Sequence, residues 1–186
     1  VRGIRLTGND RVVSMSVIRH FKATPEERAA YLKMRRAMAG VTEDEASDDD
    51  VPADPNFSQE RYAEMAAVEN LILTITRAGS GKISSSHDYP VRGRGGMGVT
   101  AMDKAMRGGP VVASFPVKMS DQIMLVTSNG QSIRCPINGI SFRSRSAGGV
   151  RVFNTNDDEK VVSVAYIPDQ GDETDEELVG SPQTEE

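Results

Sequence analysis

An internal repeat constrains the fold of this chain more than any other feature. Residues 72–79 (ILTITRAG) return 51 positions later as residues 123–130 (IMLVTSNG), with apolar, threonine and glycine positions in step. A second pair, residues 111–115 (VVASF) and 161–165 (VVSVA), is 50 positions apart. A unit of about fifty residues is typical of a propeller blade. A third, partial copy opens the chain, because residues 3–6 (GIRL) match residues 149–152 (GVRV).

The repeated units have the pattern of an all-β fold. Short runs rich in β-branched residues alternate with glycine-containing turns, and Asn129-Gly130 is a two-residue hairpin signal. We therefore predict all-β, propeller-like blades, two of them complete and one partial, with each complete blade beginning with a hairpin. The phase of the repeat places residue 1 within a blade, and two blades with a remnant are not expected to form a self-sufficient domain.

Two segments depart from this pattern. Residues 24–27 (TPEE) form a capping box with proline at the first helical position, which predicts a helix from about Pro25 to Met38, and Ser58 can cap a second helix. The acidic run at 43–50 between them is expected to be a mobile loop, and the acidic tail from Asp169 to Glu186 to be disordered. The predicted domains are 1–18, the end of a partial blade; 19–70, a helical and acidic insertion; 71–117 and 118–167, two blades; and 168–186, the tail.

The net charge of −5 conceals a strong segregation of charge along the chain. Residues 71–167 contain twelve lysines and arginines against six acids, whereas residues 168–186 contain eight acids and no basic residue. Residues 19–70 contain seven basic and twelve acidic residues. The blades are therefore basic, and a basic surface suits a polyanionic partner.

Arginines in the glycine-rich loops suggest contacts with a phosphate backbone. Arg92 and Arg94 flank Gly93, and their repeat mates Arg143 and Arg145 would present the same pair one blade further on. A chain with few Cβ atoms can approach phosphates closely, so that side-chain cations and backbone N–H groups both reach the oxygens. Aromatic residues make up only 5% of the chain and tryptophan is absent, which favours duplex over single-stranded nucleic acid. Ordinary solvated arginines beside turn glycines remain an equal alternative.

Signals for catalysis or cofactor binding are weak. Residues 93–98 spell G-x-G-x-x-G, but no helix is predicted after them to receive a pyrophosphate. Tyr62 follows Arg61, as the nucleophilic tyrosine of type II topoisomerases follows an arginine, but its place in the insertion predicts a packing role. One cysteine and two histidines cannot supply a soft-ligand metal centre, so no metal site and no cofactor in this chain are predicted.

The repeats resemble the C-terminal DNA-wrapping domain of the bacterial DNA gyrase A subunit. Blades of that family carry I-L-x-x-T-x-x-G-x-G-K, then R-G-x-G-G-x-G-V, then a Val-Val strand; here residues 72–82 read ILTITRAGSGK, residues 94–99 read RGGMGV, and Val111-Val112 follows. The seven-residue Q-R-R-G-G-K-G box of the family is not matched, because Met97 replaces its lysine. The insertion lies outside the resemblance, and the related topoisomerase IV protein has similar blades.

The resemblance implies a β-pinwheel whose basic perimeter binds and wraps duplex DNA. This chain would be the last blades of the gyrase A subunit. It would support ATP-dependent negative supercoiling by an A2B2 assembly with gyrase B. ATP and magnesium would act in other domains, and without the catalytic tyrosine domain this chain would be inactive alone. Acidic tails modulate wrapping in some members of the family, and residues 169–186 are similar in composition. The residues expected to contact DNA are Lys82, Arg92, Arg94, Arg134, Arg143 and Arg145.

Two other interpretations stay open. The blades could belong to the corresponding polypeptide of topoisomerase IV, or the chain could be a protein-interaction propeller fragment whose insertion docks a partner. No secretion leader or run of about eighteen apolar residues is present, so we expect a cytoplasmic protein without membrane partners. The resemblance implies that the protein is bacterial and nucleoid-associated.

Overall fold

The computed structural model describes residues 1–40, 51–103, 108–154 and 158–169. The two helices of the insertion come first in the chain, and the strands of the two repeated units follow. They are α1 (Pro25–Met38), α2 (Gln59–Ala67), β1 (Leu71–Thr76), β2 (Ser80–Ser85), β3 (Val111–Val117), β4 (Gln122–Thr127), β5 (Ser132–Pro136), β6 (Val150–Arg151) and β7 (Val161–Ile167), with 3-10 turns at Ser86–Asp88 and Ile137–Gly139. The acidic run at 43–50 and residues 170–186 of the tail lie outside the described residues.

The two units have the same strand plan. In the first, β1 pairs antiparallel with β2 and β3; in the second, β4 pairs antiparallel with β5 and β7. Both central strands shift register at equivalent places, between Ile75 and Thr76 and between Val126 and Thr127. Both units therefore share this β-bulge. The last strands repeat at 50 rather than 51 positions because the connection between β5 and β7 is one residue shorter than the connection between β2 and β3. The structure confirms the all-β, blade-like fold class.

The hairpin turns differ in detail from the sequence prediction. The backbone N–H of Thr127 donates to the carbonyl of Gln131 at 2.9 Å, so the loop contains the three residues 128–130. Gly130 has φ +80°, whereas no described non-glycine residue has positive φ. This arrangement matches a turn followed by a glycine in the left-handed region, not the two-residue turn expected for Asn129-Gly130. Gly79, with φ +78°, has the equivalent position in the first unit.

A strand from the second unit completes the sheet of the first. The strand order is β3-β1-β2-β6, and β6 pairs Val150 with Gly81. A Cβ on Gly149 would lie 3.0 Å from the backbone nitrogen of Gly81, and one on Gly81 would lie 2.9 Å from Cγ2 of Val152. The two glycines therefore allow the chains of successive units to approach closely.

The two sheets share one hydrophobic core. Leu73, Ile75 and Ile83 of the first unit pack in a single buried cluster with Ile123 and Leu125 of the second. Each blade thus buries its apolar face mainly against its neighbour, as expected for a repeat array.

The insertion forms a separate small cluster beside the first blade. Thr24 caps α1 in the predicted capping box, and Ser58 caps α2. Tyr31, Leu32 and Met65 are buried between the helices. His87, on the 3-10 turn after β2, joins this cluster: its ring makes an edge contact with Tyr31 at 4.9 Å, and its Nε2 lies 2.9 Å from the carbonyl of Met65. Among the described residues, no helix has the length and apolarity needed to cross a membrane.

Candidate nucleic-acid interface

Lys82 lies where β2 of the first unit meets the segment that leads into β6 of the second unit. We call this contact the joint. Its side chain is fully buried, with 0% of its surface exposed. Its Nζ donates hydrogen bonds to the carbonyl oxygens of Ser144, Arg145 and Ala147, at 2.7, 2.5 and 2.6 Å respectively. A buried ammonium with three carbonyl acceptors is a structural cation, because its hydrogen-bonding capacity is filled by the chain itself.

Arg145 belongs to the same joint. It is 4% exposed, its backbone N–H donates to Oδ2 of Asp88 at 2.7 Å, and its Nε donates to the Asp88 carbonyl at 2.8 Å. Its guanidinium also donates to the carbonyl of Thr100. Burial raises the pKa of the Asp88 carboxyl, while the Arg145 backbone hydrogen bond and charge act in the opposite direction. Arg145 therefore ties the loop of the second unit to the end of the first hairpin.

These placements change the set of residues available to DNA. Lys82 and Arg145 are not on the surface, and we remove both from the predicted contacts. Arg143 is half-buried, and its backbone N–H donates to the carbonyl of Ile83 at 2.8 Å. The side of this segment is covered by α1, since Nη1 of Arg36 donates to Oγ of Ser144 at 3.1 Å.

One sequence signal could have located Lys82. Its mate in the second unit, 51 positions later, is Ile133, which packs against the shared core. An apolar residue at the equivalent position of a repeat indicates an inward-facing site. At this position Lys82 replaces a hydrophobic contact with hydrogen bonds to the carbonyls of the loop at Ser144 to Ala147.

Arg92 and Arg94, in contrast, are exposed on the loop that follows the first hairpin. Within the described ranges neither guanidinium is in an ion pair. No described residue takes for Arg94 the place that Asp88 takes for Arg145. The two repeat-related arginine pairs are therefore not equivalent, and only the first presents two unneutralised charges to solvent.

The glycine between these arginines has no structural requirement of its own. Gly93 does not have positive φ, and a Cβ built on it would meet nothing within 4 Å. Gly95 and Gly98, at φ +75° and +79°, are needed for the turn of the loop. An open glycine beside two exposed cations leaves room for a ligand to approach the backbone.

Two further arginines lie beside this loop. The backbone N–H of Gly95 donates to the carbonyl of Gly3, and that of Arg5 donates to the carbonyl of Gly96, both at 2.8 Å. The segment carrying the exposed Arg2 and Arg5 therefore runs along the arginine loop. Sequence reasoning did not select them, although the match of residues 3–6 to 149–152 put Arg5 in the place of the exposed Arg151. We call Arg2, Arg5, Arg92 and Arg94 the basic loop cluster.

The remaining predicted residue, Arg134, lies apart from this cluster in the other sheet. It is exposed on the edge strand β5, and its Nε donates to Oε1 of Gln122 at 2.5 Å.

Tyr62 has the packing role expected from its position. Its ring stacks on Tyr31 at 4.9 Å, and its hydroxyl lies 3.1 Å from the sulfur of Met38. Arg61 pairs with Glu27 at 2.8 Å and with Glu64 at 2.8 Å. Both residues thus hold α1 and α2 together.

Comparison with known proteins agrees with this arrangement of blades. The sequence model of the family described as "DNA gyrase C-terminal domain, beta-propeller" matches residues 1–19, 70–117 and 121–168, leaving the insertion outside the match. A solved structure of the DNA gyrase A C-terminal domain is 25% identical with a TM-score of 0.50; the match covers 53% of this chain and 34% of that one.

Full-length relatives give closer matches. The DNA gyrase A subunit of Granulibacter bethesdensis is 42% identical over 98% of this chain, and that of Rickettsia bellii is 39% identical over 95%. These matches cover 21% and 20% of the relatives, so the chain spans about a fifth of their length. With blades of the matching plan and a family match over more than half of its residues, the chain belongs to the DNA gyrase C-terminal domain family of beta-propellers.

Proposed function

We propose that this chain binds duplex DNA through phosphate contacts and forms part of the DNA-wrapping surface of the gyrase A subunit. The observation that carries the proposal is the basic loop cluster: exposed arginines without ion pairs among the described residues, beside an open glycine. Such contacts fix a duplex in position without reading its sequence. Arg134 and the half-buried Arg143 extend the same proposal to the second unit.

The gyrase A relatives support a further proposal, which concerns the activity of the whole protein. We infer that the chain works within an ATP-hydrolysing type II topoisomerase that introduces negative supercoils. Its partners would be the rest of the gyrase A polypeptide and gyrase B, in an A2B2 assembly. ATP and magnesium would be bound by other domains, in the bacterial cytoplasm. The chain alone would bind DNA without cleaving or supercoiling it.

Salt dependence of duplex binding tests the proposal. Arg92→Ala with Arg94→Ala removes two exposed charges; if each neutralises one phosphate, the slope of log affinity against log salt falls by about 1.8. At 0.1 M salt this corresponds to a loss of about 60-fold, since each contact contributes about eightfold. The control is Lys22→Ala with Lys33→Ala, which removes two exposed charges from the insertion.

A chain shortened to residues 1–168 completes the experiment. The tail would compete with DNA phosphates for the basic surface, so its removal should tighten binding most at low salt, where screening is weakest. A folded chain whose duplex affinity is insensitive to salt and to Arg92 and Arg94 would instead support the protein-interaction interpretation.

A further inference from the structure

A surface cavity lies where the insertion meets the first blade. Its volume is about 140 Å³, and its insertion side is formed by residues 18–21 and Arg28. The blade side is formed by residues 86, 87, 89 and 91. Taking about 30 Å³ per water, it holds the equivalent of four or five waters, enough for a phosphate group with part of its hydration.

The lining of this cavity suits an anion. Arg19, His20 and Arg28 contribute nitrogen donors, Ser86 contributes a hydroxyl, and none of the residues that the structure describes along this lining is acidic. Neither Arg19 nor Arg28 is in a side-chain hydrogen bond or ion pair within the part of the chain that the structure describes. Among the described acids of this region, Asp88 is bound to Arg145. A backbone hydrogen bond and, to a smaller extent, the Arg28 charge lower the pKa of the exposed Glu26.

The charge of this part of the insertion points the same way. Residues 19–40 contain six lysines and arginines against two glutamates. The acidic character found for the insertion as a whole comes from residues 41–70. The first helix therefore has the same sign of charge as the blades.

The walls of the cavity are held in place by packing. His87 contacts Tyr31 and Met65 at the base of the insertion. Farther along α1, the Arg35 guanidinium lies 4.6 Å from the centre of the Phe142 ring, which attaches the helix to the second unit. The helix that carries Arg28 is thus held against the blades before an anion binds, which lowers the ordering cost of binding.

The cavity adjoins the basic loop cluster along the chain. Val91 lines it, and Arg92 is the next residue. A duplex bound at Arg92 and Arg94 would therefore pass the mouth of the cavity, and its backbone offers phosphates at close spacing.

We propose that this cavity binds a backbone phosphate of duplex DNA, so that the insertion extends the DNA-contacting surface beyond the blades. The inference rests on the proposed function, because the same duplex must engage Arg92 and Arg94. It gives the insertion a role that the family match does not include.

The test compares two charge-matched double variants with the unaltered chain. Arg19→Ala with Arg28→Ala should lower the magnitude of the salt slope by about 0.9, the value for one phosphate, and the duplex affinity at 0.1 M salt by about 8-fold. Lys22→Ala with Lys33→Ala, which alters exposed residues outside the cavity lining, should have a smaller effect. The single variant Arg19→Ala, at an exposed position, keeps the test valid if Arg28 also supports folding.

Three results would overturn the inference without affecting the proposed function. The first is a loss for the Arg92 and Arg94 variant with none for Arg19→Ala. The second is an equal loss for the cavity variant and the lysine control. The third is stabilisation by millimolar inorganic phosphate that depends on Arg19 and Arg28 while the duplex slope is unchanged, which would assign the cavity to free phosphate. If the Arg92 and Arg94 variant also binds normally, the proposed function itself fails.

Discussion

Replacing Lys82 with methionine tests whether this residue belongs to the joint or to the DNA-binding surface. Methionine keeps an unbranched stem of similar length but removes the ammonium group. Three carbonyls, of Ser144, Arg145 and the partly buried Ala147, then lose a donor that lies 2.5 to 2.7 Å away. The joint between the units is the part of the fold that this change should weaken.

The magnitude follows from two opposing effects. An unsatisfied buried carbonyl costs about 1–3 kcal/mol, so three cost about 3–9 kcal/mol. Removing the ammonium also removes the desolvation penalty of a buried ion, which is several kcal/mol. We therefore expect a net loss near the lower end, about 3 kcal/mol in the free energy of unfolding. For a chain of this size that lowers the unfolding midpoint by about 6–12 °C.

The assay pairs thermal unfolding with duplex binding across a salt series. Lys82→Met should lower the unfolding midpoint and leave the salt slope of the folded chain unchanged. Lys160→Met, at an exposed lysine just before β7, should leave the midpoint nearly unchanged. An unaltered midpoint for Lys82→Met, together with a slope reduced by about 1, would refute the reasoning and return Lys82 to the DNA-binding surface.

Two more predictions concern the arginine loop and the insertion. Gly93→Ala should leave the free energy of unfolding unchanged or raise it by about 0.4–1 kcal/mol, because a Cβ built there meets no atom within 4 Å. The same variant should weaken duplex binding several-fold. Gly139→Ala, at another unstrained glycine, is the control, and equal binding by both variants would remove Gly93 from the interface. The Arg61 guanidinium and the Thr24 backbone N–H hold the pKa of Glu27 below its usual 4.5, so the pairing of α1 and α2 should be fully stabilised above that pH and weaken as pH falls through the lower value. Hydrogen exchange of the α1 backbone amides from pH 6 to 3 measures this loss of stability. Glu27→Gln should remove the pH dependence of exchange, while Glu60→Gln should retain it. An unchanged pH dependence in Glu27→Gln would show that another group is responsible.

Sequence predicted the features that depend on local chemistry. The capping box at Thr24 predicted the start of α1, and the repeated strand patterns predicted the hairpins of both units. The one-residue change of repeat spacing corresponds to a connection before β7 that is one residue shorter than the connection before β3. These features depend on residues close in sequence, or on spacing that the repeat itself displays.

Features that depend on the joint between units were not predicted. A lysine in a strand has no local signal of burial, and Lys82 is buried only because a loop more than sixty residues later supplies its acceptors. The short strand β6 likewise belongs to the sheet of the other unit. Because Arg94 and Arg145 belong to two copies of one motif, the sequence did not indicate that the first is exposed and the second buried.

The joint explains why repeat copies of one motif have different roles. In the first unit, the last residues of the motif at 72–82 contact the second unit. The Gly79 carbonyl accepts from the backbone N–H of Val152, Gly81 packs against Gly149, and Lys82 binds the loop at Ala147. At the equivalent positions of the second unit, Gln131 replaces Ser80, Ser132 replaces Gly81, and Ile133 replaces Lys82. Accordingly β5 pairs only with β4 within the described residues.

An arginine pair that follows such a motif therefore has one of two uses. Where a preceding unit supplies a lysine and an aspartate, the segment is drawn into the joint and its second arginine is buried, as at Arg145. Where no described unit does so, as at Arg94, both charges face solvent. The number of exposed arginines in these two units thus depends on how the joint is filled, and not on the number of motif copies. Joint variants such as Lys82→Met and surface variants such as Arg92→Ala should accordingly separate stability from DNA affinity.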